Sequence, residues 1–239
     1  MILGEHVCVS LEQLQHAAQR SGLALALTIE TLGARQELHL GVLVLSEGEG
    51  ATVLHMSGHQ RLKREALSTD RHRLFLLRPR SVSDELWVDR MEAIAGLWGR
   101  VWDRVLTRGG ADEWAFAIAP ETSVRVSGQP ESRSDEHTPG FTCSTFALKL
   151  FEAVGYPLVR SHTWPPPDAA DRAWQEEVVR TLQRYFPAHA FGMLDEVGAV
   201  PRYRPEQVAC AAASDRHPAM YEDVREVADC VARMLRAAS

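Results

Sequence analysis

The residues in this chain whose types and spacing could do chemistry are one cysteine at a helix start and two histidines in adjacent strands. Cys143 lies where a polar stretch gives way to the amphipathic run Phe141-Thr142-Cys143-Ser144-Thr145-Phe146, with Thr142 as the expected cap. A helix N-terminus carries about half a positive charge, which favours a thiolate and lowers a cysteine pKa. The N–H groups of that turn, from Thr142 through Ser144, can also hold an oxyanion. One location thus offers a nucleophile and part of an oxyanion hole. The bland alternative is a buried structural thiol, the ordinary fate of a lone cysteine.

His39 and His55 lie among Leu, Val, Gly and Met in two runs that read as a hairpin. A single histidine on an apolar strand is usually a satisfied core residue. Two that share one face across a hairpin can be a base and the group that orients it, and a nucleophile, a base and an orienting group make the general logic of covalent catalysis. The two share a face if the connecting loop is odd in length or carries a bulge. Gly41, two residues after His39, is expected to leave room for a helix end to approach. His137, in the polar stretch before Cys143, is a further candidate as part of a lid; His59 and His162 read as solvated loop residues.

Several elements must position these groups. Ser10 and Gln13 form a capping box that opens a first helix running to Gly22. Strands are expected over 23–31, 38–45, 52–56, 73–77 and 114–118, with the 47–50 turn closing the histidine hairpin. Ser83 caps a helix whose apolar face runs Trp87, Met91, Ile94, Trp98, Val101, Val105, a spacing that reads as core. Residues 120–140 read as one long loop of the kind that often forms a lid. After Cys143 the helix runs to Gly155, Trp164-Pro165-Pro166-Pro167 is a connector, and helices follow over 168–185, 205–213 and 218–238, with Pro205 and Pro218 in first turns. The expected fold is α+β: an antiparallel sheet packed against the nucleophile-bearing helix over residues 1–165, with a helical C-terminal extension over 166–239 packed on it.

Bulk properties narrow the function. The net charge of −6, from 26 basic and 32 acidic residues, lacks the basic stripe of a nucleic-acid surface, and Arg61-Lys63-Arg64 and Arg71-Arg73 read as solvated faces. No apolar run reaches the roughly 20 residues that span a bilayer, and the N-terminus lacks a signal-peptide pattern. The expected location is cytoplasmic, or outside the cell by a route without a cleaved signal. Cys8, Cys143, Cys210 and Cys230 form no C-x-x-C pair, so neither a structural zinc nor a disulfide framework is expected, and no metal or other cofactor. Cys210 and Cys230 read as core, and Cys8 has no evident partner.

The run Leu38-His39-Leu40-Gly41-Val42-Leu43-Val44, a turn, and Val53-Leu54-His55 resembles the histidine hairpin of circularly permuted papain-like proteins. These form the permuted branch of the NlpC-type superfamily, with lecithin retinol acyltransferase and YiiX-like bacterial proteins. Phe141-Thr142-Cys143-Ser144 is similar to the family's aromatic-x-Cys-Ser helix start, and Leu43 stands where the family often has an aromatic residue. The resemblance covers residues 23–160. It implies a papain-like fold with Cys143 as nucleophile, His39 as general base and acid, and His55 as third polar residue. The implied activity is hydrolysis of an amide or peptide bond through a thioester. Two alternatives stand beside it. One is an acyltransferase or lipid esterase using the same residues, with a trench supplied by Trp87, Trp98 and Trp102. The other is a binding module without catalysis. The substrate is expected to be a peptide, amide or other acyl compound.

Overall fold

The computed structural model describes residues 8–21, 23–32, 37–46, 50–57, 59, 61–68, 72–76, 84–108, 114–118, 122–132, 140–190, 192–214 and 216–237. His137 lies outside them, as do Ser83, Gly22 and the 47–49 turn.

The fold begins with α1 (Leu11–Ser21), opened by the reciprocal bonds of the expected capping box: Ser10 N–H to Gln13 Oε1 at 2.8 Å and Gln13 N–H to Ser10 Oγ at 3.2 Å. Five strands follow: β1 (Leu23–Leu32), β2 (Glu37–Ser46), β3 (Thr52–Met56), β4 (Leu62–Ala66) and β5 (His72–Leu76). They form one antiparallel sheet in the order β4-β3-β2-β1-β5. β4 is the strand the sequence hides. Its basic run Lys63-Arg64 reads as a solvated patch, yet the segment pairs residue for residue with β3, from Thr52↔Ala66 to Met56↔Leu62. It is an edge strand, where exposed charge is normal.

The two faces of the sheet are covered differently. Leu14 and Ala18 of α1 pack on Ala24, Ala26, Leu43, Leu45, Val53 and Leu74. The opposite face, with Leu25, Leu27, Ile29, Leu40, Val42 and Leu54, meets the main core. That core is supplied by α2 (Asp84–Arg108), α3 (Cys143–Ala153), α5 (Pro205–Ala212) and α6 (Tyr221–Ala237). α5 and α6 thus share the core of the segment that precedes them. Met91, Ile94, Trp98 and Val101 are buried, as the helical spacing of α2 requires, and Trp98 donates its indole N–H to the Val42 carbonyl at 3.3 Å. Trp98 is core and not trench wall.

Three expected elements are corrected. Residues 114–118 form no strand; Ala115 makes a single bridge to Gly140, and the burial of Trp114 comes from ring packing. Residues 120–140 are not one loop, since β6 (Thr122–Val124) and β7 (Pro130–Ser132) pair as a short hairpin turning through Gly128 at φ 81°. The last helix opens at Tyr221, not Pro218, because Ala219 is held in a bridge with Val159. Elsewhere α4 (Ala169–Tyr185) is capped by Asp168, whose side chain accepts the Asp171 N–H, and Pro205 occupies the first turn of α5. Among the described residues no helix is long and apolar enough to cross a membrane.

Candidate active site

Thr142 caps α3. Its hydroxyl accepts the Thr145 N–H at 3.1 Å, and the Thr145 hydroxyl accepts the Thr142 N–H at 2.7 Å. The turn is held from behind by rings: Trp114 stacks on Phe141 with centroids 5.5 Å apart, and Phe146 meets Trp114 edge-on at 5.6 Å. Phe141 N–H bonds the Ala115 carbonyl at 2.9 Å, and Gly140 N–H bonds the Thr122 hydroxyl at 2.8 Å. Gly140 allows this close approach, since a Cβ there would stand 2.4 Å from the Ala117 Cβ. Cys143 is therefore the first residue of a rigidly seated helix.

The Leu40 N–H and the N–H and hydroxyl of Ser144 lie near enough to the sulfur to favour its charged form, and the Arg202 guanidinium adds a favourable charge. Burial outweighs all of these and pushes the thiol above its ordinary value. This corrects the lowered pKa expected of a helix start. The resting group is the neutral thiol.

His39 and His55 are both buried and joined ring to ring, Nε2 of the first to Nδ1 of the second, at 2.5 Å. Their rings stand edge to face, centroids 4.8 Å apart. The register explains the pairing. Val42↔Leu54 and Val44↔Thr52 enclose an odd loop, so His39, Gly41, Val53 and His55 share one face. Glu65 of β4 lies on that face too, with Oε1 3.5 Å from His55 Nε2. Three consecutive strands thus contribute His39, His55 and Glu65 in a row. No sequence signal marks Glu65, which sits in the run that reads as solvated.

Gly41 does not make room for a helix end. A Cβ at this position would meet Val53 Cγ1 at 2.4 Å, Thr28 Oγ1 at 2.9 Å and the His55 Cβ at 3.4 Å. The space it leaves is used by its own sheet neighbours, including the second histidine.

Alternation along β2 sends His39 and Leu40 to opposite faces, and α3 packs on the Leu40 face. The sulfur and the imidazole pair therefore flank β2 from two sides. Beyond Val42↔Leu54 β3 no longer pairs with β2, and the Leu40 N–H lies near the sulfur. At that margin of the sheet His39, Thr142, Cys143 and Ser144 line one cavity of about 490 Å³. Its far wall is Trp174 and Gln175 of α4 with the 201–206 segment. Asp171 anchors that segment, accepting from Arg204 at 2.9 Å and from Arg202 at 3.3 Å. Arg202 also lies 3.9 Å over the Trp174 ring. These wall residues come from the last third of the chain, where no motif announced them.

Among the described residues no cluster of His, Cys, Asp and Glu has the form of a metal site. The other cysteines are free thiols, and Cys8 and Cys230 both come within electrostatic reach of Cys210. Comparison with family models, with curated proteins and with solved structures finds no match to this chain.

Proposed function

We propose that this chain is a cysteine-dependent hydrolase of the permuted papain-like type, cleaving an amide or peptide bond through a thioester. The carrying observation is the 2.5 Å His39–His55 contact together with a capped cysteine, His39 and Cys143 lining one cavity at the margin of the sheet. With Nε2 of His39 toward His55, the thiol proton is assigned to Nδ1 of His39. The tautomers then follow: His39 donates from Nε2 to His55 Nδ1, and His55 presents its Nε2–H toward Glu65.

In this reaction His39 takes the proton from the neutral Cys143 thiol as the sulfur attacks the substrate carbonyl. The Thr142 N–H, expected as an oxyanion donor, is instead taken by the Thr145 hydroxyl, the Thr145 N–H goes to the Thr142 hydroxyl and the Ser144 N–H faces the sulfur, so the Cys143 N–H is the first-turn donor for the developing oxyanion. The tetrahedral intermediate collapses, the C–N bond breaks, and the imidazolium gives its proton to the leaving amine. Water then attacks the thioester with His39 as base, and a carboxylic acid leaves with the thiol restored.

The test is acyl-enzyme trapping with p-nitrophenyl acetate. A burst of nitrophenolate with an acetyl adduct on Cys143, absent in Cys143→Ala, is expected. Acetylation spread over surface amines, with no burst, would sink the reading.

A further inference from the structure

The cavity that holds Cys143 adjoins a second one of about 600 Å³ walled by rings: His59, Phe116, Trp174, Tyr185 and Phe186. The two share Glu37, Ser57, Phe116, Trp174 and Val178, so they adjoin along a common wall. The floor of this trough is built. Phe116 donates its N–H to His59 Nδ1 at 3.2 Å, and its carbonyl accepts from His189 Nε2 at 2.7 Å. His59 in turn packs on Phe186 and His189, with ring centroids 4.1 and 4.3 Å away.

An Nδ1 that accepts a hydrogen bond belongs to a neutral ring. Partial burial, aided by the charge of His189, holds His59 down to about 4. His59 therefore adds no cation to this wall near neutral pH. The charged groups on the trough are Glu37, Arg61 and Glu177, of both signs and all exposed, which gives no single-sign field for a charged ligand. Tyr185 and Phe186 meanwhile remain 63% and 40% exposed, an unusual use of two adjacent rings on a protein surface.

We propose that this trough is a specificity site that takes an aromatic ring carried by the substrate beside the bond under attack. The inference rests on Cys143 being the nucleophile. Rings favour other rings in offset or edge-on contact beyond what area alone gives, which selects an aromatic group over an alkyl chain of equal surface. The volume suits a group larger than a single ring, so the ring and the adjoining backbone of a peptide fit together.

The test uses iodoacetamides with different N-substituents, each rate on Cys143 read by peptide mass mapping and divided by its rate on a small free thiol. The phenylethyl reagent is expected to outpace the methyl reagent by about tenfold, the worth of one good ring contact. The ratio should fall toward one in Phe186→Ala and Tyr185→Ala and persist in Met234→Ala, an exposed apolar residue of α6. A ratio near one in wild type overturns the proposal, as does a faster reaction of the octyl or aminoethyl reagent. Cys143 labelling that is indifferent to His39→Ala sinks the nucleophile reading itself. Labelling that needs His39 yet shows no ring preference sinks this inference alone.

Discussion

Cys143 and Cys210 make an instructive pair, because burial pushes both thiols above their ordinary value and only one of them is equipped to react. Cys210 sits inside α5, 5% exposed, between alanines that pack on the sheet, and the charges near it (Cys8, Glu206 and Cys230) all disfavour its thiolate. Cys143 is also raised by burial but is the more exposed of the two, opens α3, has the Leu40 and Ser144 N–H groups and Arg202 near its sulfur, and borders a cavity. Burial alone makes a thiol inert. What separates the two is a set of donors aimed at the sulfur and an imidazole pair at the same margin of the sheet.

The strongest way to break this contrast is to remove the base. His39→Ala is expected to slow acylation of Cys143 by about 10²- to 10⁴-fold, the usual contribution of a positioned general base. Alkylation of Cys143 should then resemble that of Cys210, following an ordinary high-pKa thiol. His55→Ala should act in the same direction with a smaller loss, since it orients His39 without touching the substrate. Rates measured by mass spectrometry at pH 7 check both, and an unchanged rate in His39→Ala removes any functional difference between the two cysteines.

Which half of this comparison the sequence reveals depends on how local the information is. The Thr142 cap and the buried stripe of α2 are patterns within a few residues of one another, and both are legible; that His39 and His55 share a face depends on a loop parity that only the register supplies. β4 escapes notice because an edge strand needs no apolar face, and its Lys63-Arg64-Glu65 run obeys solvent and not the core. The raised Cys143 thiol is illegible for another reason. The dipole that lowers it is written at the helix start, whereas the burial that wins is contributed by β2 and by the 201–206 wall, sixty residues downstream. Arg202 and Trp174 belong to the site only through Asp171 and the packing of α4, and no short motif encodes that contact.

A second substitution tests the imidazole pair through the backbone beneath it. In Gly41→Ala the new methyl would stand 2.4 Å from Val53 Cγ1 and 2.9 Å from Thr28 Oγ1, both in buried strand interiors. Overpacking of this kind costs about 1–3 kcal/mol. For a chain of this size that lowers the melting midpoint by roughly 2–4 °C per kcal/mol. Because the same methyl crowds the His55 Cβ, the variant should lose acylation beyond what its stability loss explains, which assays well below the melting transition will show. Retained activity in a destabilised Gly41→Ala would mean that the His55 position matters less than its 2.5 Å contact implies.

Alkaline pH treats the two thiols alike and so separates burial from activation. Both carry folded-state values above the reference of 9.0, so the native chain keeps protons that the unfolded chain releases. Their contribution to stability is full below pH 9 and is lost as pH rises through the folded values. Tyr156 and Tyr203, also raised by burial, add to the same trend above pH 10. Melting midpoints should therefore fall on the alkaline side, and less steeply in Cys143→Ala and in Cys210→Ala than in wild type. Equal slopes in all three would mean that these thiols reach solvent.

The smallest expected effect concerns the one charge that distinguishes the two cysteines. Arg202 favours the Cys143 thiolate from a fixed position, stacked on Trp174 and bonded to Asp171, while its own burial lowers its pKa without threatening its charge. Arg202→Gln removes the charge and leaves a polar side chain of similar reach, so the Cys143 thiol should rise further and its alkylation profile shift to higher pH. Arg202→Lys should restore part of the shift, because charge and not the planar fork acts on the sulfur. The Cys210 profile should not move, as Arg202 is absent from the charges that act on it. A Gln variant that leaves the Cys143 profile in place would assign Arg202 to holding the cavity wall, and the activation of the cysteine would then rest on the Leu40 and Ser144 donors and the histidine pair.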